Sequence, residues 1–159
     1  MVSENVELKN VTIGRGSYRN FSGTVGMYNK SGDRKFSIFL PQEVADELLE
    51  LGWYVKTKPG RREGDDPINQ FDIAVAFDPY PPTIELISHD GTKSYLTEET
   101  VGILDELDIA RADLEIRPYN WNVNGKTGVK AYLKTLKVHA RPPRRSLNAS
   151  MGGNDEAPF

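Results

Sequence analysis

The sequence of 159 residues contains no cysteine and only two histidines, His89 and His139, which lie far apart along the chain. The absence of cysteine excludes a disulfide framework, a thiolate zinc site and a cysteine nucleophile. Two isolated histidines do not have the spacing of metal ligands. We therefore expect a protein that carries no metal ion and no other cofactor.

Long apolar segments are also absent. No run approaches the roughly 18–20 apolar residues that a membrane-spanning helix needs. The first ten residues, MVSENVELKN, lack the basic and apolar regions of a signal peptide. These absences predict that the protein stays in the cytoplasm, where it is made. The length is that of one ordinary domain, or of one small domain with a tail.

The net charge of −3 is unusual for a protein that binds polyanions, but the charges are unevenly distributed. Acidic residues gather in two predicted helices, at 43–50 and 98–108, and near the C-terminus. Basic residues gather at positions 15–19 and again from 126 to 145. Because the local distribution of charge decides where a polyanion can bind, the acidic total is compatible with a basic stripe.

Short segments in which apolar residues alternate predict a series of strands. They lie at residues 5–13, 20–28, 34–40, 53–58, 68–77, 83–88, 109–121 and 129–140. One helix is predicted to begin at Pro41 and to end before Gly52. A second is predicted over 98–107, with Thr97 as its N-cap. Asn124-Gly125 marks a hairpin turn within a predicted loop at 122–128.

These elements predict a mainly β fold. The expected architecture is an OB-fold-like, five-stranded, partly open antiparallel barrel with extra strands and two short helices. A β-sandwich is the alternative, and periodicity does not separate the two. From Arg141 onward the chain is rich in Pro, Arg, Ser, Asn and Gly. The domain is therefore predicted to span residues 1–141, and residues 142–159 are predicted to form a disordered tail.

The strand at 109–121 carries the clearest functional pattern. Ala112, Leu114 and Ile116 share the face that should point into the core, whereas the opposite face ends in Arg117, Tyr119 and Trp121. Pro118 predicts an edge or bulged strand. Bases stack on aromatic rings while Arg and Lys follow the phosphates. We predict a site for single-stranded DNA here; the alternative is that the two rings cover a neighbouring loop or helix.

The following strand supports the same site. Lys130, Tyr132 and Lys134 share one face of it, and Lys126 lies in the predicted loop between the two strands. Two adjacent strands would then present aromatic rings between cations. A solvated lysine face is the alternative interpretation of this strand taken alone.

A second contact region is predicted in the glycine-rich segment at residues 14–20. Its candidate residues are Arg15, Tyr18 and Arg19. The segment lacks the Gly-Lys-Ser/Thr ending of a phosphate loop. An ordinary connecting loop is the alternative.

The last eight residues read GGNDEAPF. Asp155 and Glu156 precede Pro158 and a terminal Phe159, whose own carboxylate is free. A partner could hold the phenyl ring in an apolar pocket and pair the acidic groups with basic residues. The segment is therefore predicted to recruit another protein.

Two segments resemble known families. The tail resembles the acidic, Pro-Phe-ended tip of bacterial single-stranded-DNA-binding proteins, although it holds only two acidic side chains. Residues 97–138, which include IRPYNW and VNGKTGVKAYLKT, are similar to a family of small phage-encoded single-stranded-DNA-binding proteins. The resemblance implies an OB-fold, no catalysis and a role in phage DNA replication or recombination. It also implies the cytoplasm of a bacterial host.

Two other functions stay open. The chain could be an interaction module that contacts replication proteins and hardly binds DNA, as its acidic net charge suggests. It could also be a nuclease that holds Mg²⁺ through carboxylates. The candidate carboxylates are Asp65, Asp66, Asp72, Asp78 and Asp90, but no spacing singles them out. The sequence leaves self-association and the identity of a partner protein undecided.

Overall fold

The computed structural model describes residues 2–14, 17–27 and 29–142. Within these residues the chain forms nine strands, one α-helix and one 3-10 turn. The strands are β1 (Val6–Val11), β2 (Arg19–Asn20), β3 (Arg34–Leu40), β4 (Lys56–Lys58), β5 (Ile68–Val75), β6 (Thr83–Ile87), β7 (Lys93–Leu96), β8 (Ile109–Val123) and β9 (Lys126–Ala140). The helix α1 spans Gln42–Glu50, and the 3-10 turn spans Val101–Asp105.

All nine strands belong to one curled sheet, in the order β1-β8-β9-β5-β3-β2, with β4, β6 and β7 attached beside this path. Most pairs are antiparallel, but β9 runs parallel to β5 at Ala74–Tyr132 and parallel to β6. A single bridge between Thr12 and Phe39 links the chain after β1 to β3. The sheet is therefore a partly open barrel, as predicted, and the two-sheet sandwich is not formed.

Period-two alternation places the core on one side of each long strand. On β5, Asn69, Phe71, Ile73 and Val75 are buried, because a half-buried strand turns every second side chain inward. The buried faces of β3, β8 and β9 are Phe36, Ile38, Leu40, Ala112, Leu114, Ile116, Ala131, Leu133, Leu136 and Val138. The side chains that remain on the opposite, outer face are the ones available to a ligand.

The helix α1 closes one end of this core. Pro41 is its N-cap rather than its first helical residue, and the extended conformation of Pro41 suits that position. Ala45 and Leu48 are buried, whereas Leu49 and Leu51 are exposed, so the buried stripe of the helix is narrow. Gly52 follows with a φ of 98°, a conformation that favours glycine and ends the helix.

The predicted strand at 20–28 is not formed. Only Arg19–Asn20 pair with β3, and the side chains of Val25 and Met27 are exposed. Asn20 and Asn29 explain the difference, because their side chains bond the main chain of Thr24 and Asp33. Such local bonds offer the backbone an alternative to a sheet ladder.

The predicted helix at 98–107 is a five-residue 3-10 turn. Val101 and Leu104 are buried, and their spacing of three suits the three residues per turn of a 3-10 helix. Thr97 is not its N-cap; its hydroxyl donates to Glu99. The Leu104 carbonyl accepts from Arg19 Nη1 at 3.0 Å. In a longer helix the same oxygen would accept from a main-chain N–H.

Several boundaries also differ from the prediction. The loop at 122–128 is a two-residue turn, because Asn124 (φ 52°) and Gly125 (φ 80°) adopt the left-handed conformations of a type I′ hairpin. The strand after Trp53 begins only at Lys56. The strand β7 was not predicted. Within the described residues no helix is long and apolar enough to cross a membrane. The predicted tail lies outside these residues, apart from Pro142.

Candidate nucleic-acid interface

The antiparallel pairing of β8 and β9 brings the predicted site residues together. Arg117 lies opposite Tyr132, and Tyr119 lies opposite Lys130. The rings of Tyr119 and Tyr132 meet edge to face, with 6.0 Å between their centroids. The Arg117 guanidinium carbon lies 5.8 Å from the Tyr132 centroid, and Lys130 Nζ lies 5.3 Å from it. Two cations thus lie against the ring of Tyr132, which in turn contacts Tyr119.

The next pair along the hairpin is Trp121 and Gly128. A Cβ at position 128 would lie 2.3 Å from Cζ2 of the Trp121 ring. Only glycine leaves room for the indole at this contact. Trp121 therefore lies against its own hairpin and remains 37% exposed.

The same outer face continues onto the neighbouring strands. Alternation places Lys35 and Ser37 of β3 opposite Ala74 and Asp72 of β5. Ala74 in turn pairs with Tyr132. We call this surface the aromatic–basic face, and it comprises Arg117, Tyr119, Trp121, Lys130, Tyr132, Lys35, Lys56 and Tyr80. Tyr80 joins it because the Arg117 guanidinium carbon lies 5.4 Å from its ring centroid.

Two grooves open on the aromatic–basic face. One has a volume of about 320 Å³ and is lined by β3, β5, Lys130 and Tyr132. The other has a volume of about 250 Å³ and lies between β4, β5 and the hairpin, with Tyr54 and Trp121 in its wall. Asp72 and Lys130 line both grooves, so the two adjoin at these side chains.

Asp72 is an acidic residue on this otherwise basic surface. Its Oδ1 accepts from Ser37 Oγ at 2.6 Å and from Gln70 Nε2 at 2.8 Å. Its Oδ2 pairs with Lys56 Nζ at 2.9 Å. Partial burial raises the pKa of Asp72, but the bonds from Ser37, Gln70 and Lys56 outweigh it, so the pKa is lowered overall. The hydrogen bond and charge of Asp72 raise the pKa of Lys56. Both groups are charged at neutral pH.

The aromatic–basic face ends at a β-bulge. Two residues of β9, Lys134 and Thr135, occupy the step between Leu133 and Leu136 where the register with β8 shifts. Lys134 Nζ lies 3.5 Å from Glu115 Oε2. Beyond the bulge the outer surface carries charges of both signs, with Glu7, Glu85 and Asp113 beside Lys9 and Lys137. Lys134, a predicted site residue, thus lies at the border and shares its charge with Glu115. Lys126 lies at the exposed tip of the hairpin.

The glycine-rich segment approaches the face through Tyr18. Lys35 Nζ lies 5.5 Å from the Tyr18 ring centroid, and the Tyr18 carbonyl accepts from the Ser37 amide at 2.9 Å. Arg19 points elsewhere. Its guanidinium donates to the carbonyls of Leu104, Leu107, Ile13 and Gly14. Arg15 and the tail residues Asp155, Glu156, Pro158 and Phe159 lie outside the described residues.

Sequence reasoning missed four residues of this surface: Lys35, Lys56, Asp72 and Tyr80. Lys35 could have been found, because the inward pattern of Phe36 and Ile38 turns Lys35 outward. Lys56, Asp72 and Tyr80 come from separate segments whose register the sequence does not reveal. Among the described residues no cluster of three or more acidic or histidine side chains could hold a metal ion.

Partly open β-barrels that expose aromatic rings between cations form a recurrent class of single-stranded nucleic-acid-binding domains, and the fold and face described above have the features of that class. Residues 2–141 match the family described as "Putative phage ssDNA-binding domain", and the chain belongs to this family. No curated protein matches the chain.

Two solved structures of the single-stranded DNA-binding protein from bacteriophage Enc34 are similar in fold. The C-terminally truncated form gives a TM-score of 0.52 at 12% identity, over 87% of each chain. The other gives a TM-score of 0.51 at 12% identity, over 92% of this chain and 85% of that chain. At this identity the similarity concerns the fold alone.

Proposed function

We propose that the protein binds single-stranded DNA without sequence preference through the aromatic–basic face and so protects the strand. The cluster formed by Arg117, Tyr119, Lys130 and Tyr132 carries the proposal, because it places two rings between two cations on one exposed surface. Membership of the phage family supports it.

The mechanism follows from what each group can bind. Every base has an aromatic face, so stacking on Tyr119, Tyr132 or Trp121 tolerates any sequence, at about 1–3 kcal/mol per base. Arg117, Lys130, Lys35 and Lys126 pair with phosphates and release counterions. A duplex keeps its bases stacked on each other and offers no free base face. The surface should therefore favour single strands. No catalytic step is proposed.

The remaining candidate residues extend this path. Tyr18 stands at the edge of the face beside Lys35 and is proposed to meet the strand as it leaves β3. Arg15 is proposed as a contact at the rim, whereas Arg19 is proposed to act on the fold, because its guanidinium bonds four main-chain carbonyls. Lys134 marks the limit of the path, because it shares its charge with Glu115 and the surface beyond it is of mixed charge.

We further propose a role in phage DNA replication or recombination, in the cytoplasm of a bacterial host. The tail residues Asp155, Glu156, Pro158 and Phe159 would recruit a partner protein with a basic, apolar pocket. The support is the sequence of the tail. Deleting Phe159 should abolish capture of replication proteins while leaving DNA affinity intact. Unchanged capture would contradict recruitment by the tail.

Fluorescence anisotropy with labelled oligo-dT, beside a duplex of equal length, tests DNA binding at several salt concentrations. We expect binding to the single strand, with a log–log salt slope of about −0.7 per phosphate contacted. Tyr119→Ala should weaken binding by about fivefold to a hundredfold. Tyr95→Ala is the matched control, because Tyr95 is an exposed ring beside Glu85 on the other side of the bulge. Equal losses in both variants would contradict the assigned face.

A protein-interaction module with little DNA binding is the second candidate. The net charge of −3 and the carboxylates beyond the bulge favour it. This function predicts that the protein does not bind oligo-dT even at low salt. The tail would then be the main functional segment.

A further inference from the structure

Asp72 places a negative charge on the surface that is proposed to bind DNA, which is a polyanion. Its side chain is 35% exposed and lines both grooves of the aromatic–basic face. A phosphate seated here would be repelled by the carboxylate and would have to displace it from Lys56. The part of the strand that reaches Asp72 should therefore be a base and not a phosphate.

The carboxylate of Asp72 can accept one more hydrogen bond than it receives from the protein, and its orientation is fixed. An ionised carboxylate offers about four acceptor sites. Within the described residues three are used: two on Oδ1, by Ser37 and Gln70, and one on Oδ2, by Lys56. These three bonds fix the plane of the group. The lowered pKa keeps it ionised, and therefore an acceptor only, at neutral pH.

A ring that could position a base lies in the same groove. Trp121 and Asp72 both line the 250 Å³ groove. The contact with Gly128 sets the position of the indole. A base stacked on Trp121 can then direct its edge toward the floor of the groove. Carboxylates accept from the exocyclic amino group of cytosine, whereas the imide N–H of uracil or thymine is flanked by two carbonyl oxygens that face a carboxylate unfavourably.

We propose that Asp72 is a base-selective position within an otherwise sequence-tolerant surface, where its free acceptor site binds the exocyclic amino group of cytosine and so separates cytosine from uracil and thymine, which carry no amino group. This inference rests on the proposed function, since it requires a single strand on the aromatic–basic face. It adds that binding is not uniform: one base per protomer is chosen for an amino group.

The test compares affinities for oligo-dC and oligo-dU of equal length at neutral pH, in the full chain and in Asp72→Asn. The two oligonucleotides carry the same phosphates, so the ratio of their affinities cancels the gain from removing a negative charge. We expect the wild-type ratio to favour dC by about three- to tenfold. In Asp72→Asn the amide can donate to O4 of uracil, so the ratio should fall to unity or reverse.

Asp66→Asn is the control, because it removes one carboxylate from an exposed loop away from the grooves. Its ratio should equal that of the wild type. A second comparison needs no variant: an oligonucleotide of 2-pyrimidinone nucleosides, with hydrogen in place of the amino group, should lose the advantage of dC in the wild-type protein. A ratio that Asp72→Asn leaves unchanged, or equal binding of dC and the pyrimidinone, would overturn the inference. If neither oligo-dC nor oligo-dU binds, the proposed function fails as well.

Discussion

The indole of Trp121 lies so close to Gly128, its cross-strand partner, that a Cβ at position 128 would come within 2.3 Å of ring atom Cζ2. The ring therefore lies against the hairpin. One glycine thus sets the position of an aromatic group on the aromatic–basic face. The contact ties a feature of the backbone to the binding of a base.

Gly128→Ala should move the Trp121 ring without unfolding the protein. The atom that clashes is at the end of a side chain, which can rotate away, and φ at Gly128 is not in the left-handed region. We expect oligo-dT affinity to fall by about five- to tenfold through lost stacking, with a loss of unfolding free energy of about 1–2 kcal/mol. Anisotropy and urea unfolding measure the two effects.

Gly26→Ala serves as the control for this substitution, because nothing lies within 4 Å of a Cβ at position 26. It should leave DNA affinity unchanged. If Gly128→Ala binds oligo-dT as tightly as the wild type does, the position of the indole is irrelevant to binding.

Arg19→Met should lower stability more than it lowers DNA affinity. The guanidinium donates to the carbonyls of Leu104 at 3.0 Å and Leu107 at 2.6 Å, and so joins β2 to the 3-10 turn and the residues that follow it. Loss of these charged donors should reduce the free energy of unfolding by about 2–4 kcal/mol. Urea unfolding measures the loss of stability. Arg111→Met is the comparison, because Arg111 is an exposed arginine of β8. Unchanged stability with weakened DNA binding would instead favour a rim contact for Arg19.

The Lys56–Asp72 pair should make stability depend on pH at both extremes. The folded pKa of Asp72 lies below its ordinary value of 3.8, so its contribution is present above 3.8 and is lost as the pH falls through the folded pKa. The folded pKa of Lys56 lies above 10.5, so its contribution is present below 10.5 and is lost as the pH rises through the folded value.

Asp72→Asn removes both contributions. The difference in unfolding free energy between wild type and variant should therefore be largest between these limits and should vanish in strong acid. It should shrink with added salt, because both side chains are partly exposed. Urea unfolding across the pH range measures it. A difference that persists unchanged below the folded pKa of Asp72 would show that charge is not its origin.

The sequence predicted the faces of the long strands well, because the curled sheet buries one side of each strand and the period of two is interrupted only at bulges such as the one between Leu133 and Leu136. Arg117, Tyr119 and Trp121 were placed correctly beside Lys130 and Tyr132 for this reason. Alternation failed at residues 20–28, where two asparagine side chains bond the backbone locally. A pattern of apolar residues does not report such competition.

Contacts between distant segments could not be predicted from the sequence for a different reason. The pairing of Lys56 with Asp72 depends on the register of β4 against β5, and the approach of Tyr80 to Arg117 depends on the path after β5. Neither has a local signature. The direction of Arg19, which turns to the carbonyls of the 3-10 turn, likewise depends on a segment more than 80 residues away.

We propose that single-stranded DNA lies on the aromatic–basic face, and ¹⁹F NMR of 5-fluorotryptophan-labelled protein can detect the DNA at this face. The chain has two tryptophans: Trp121, exposed on that face, and Trp53, buried in the core. Trp121→Phe assigns the two resonances. We predict that oligo-dT shifts the Trp121 resonance much more than that of Trp53, whose buried ring lies beneath the same groove, whereas duplex DNA shifts neither. Binding of oligo-dT, seen by anisotropy, with an unmoved Trp121 resonance would contradict the account.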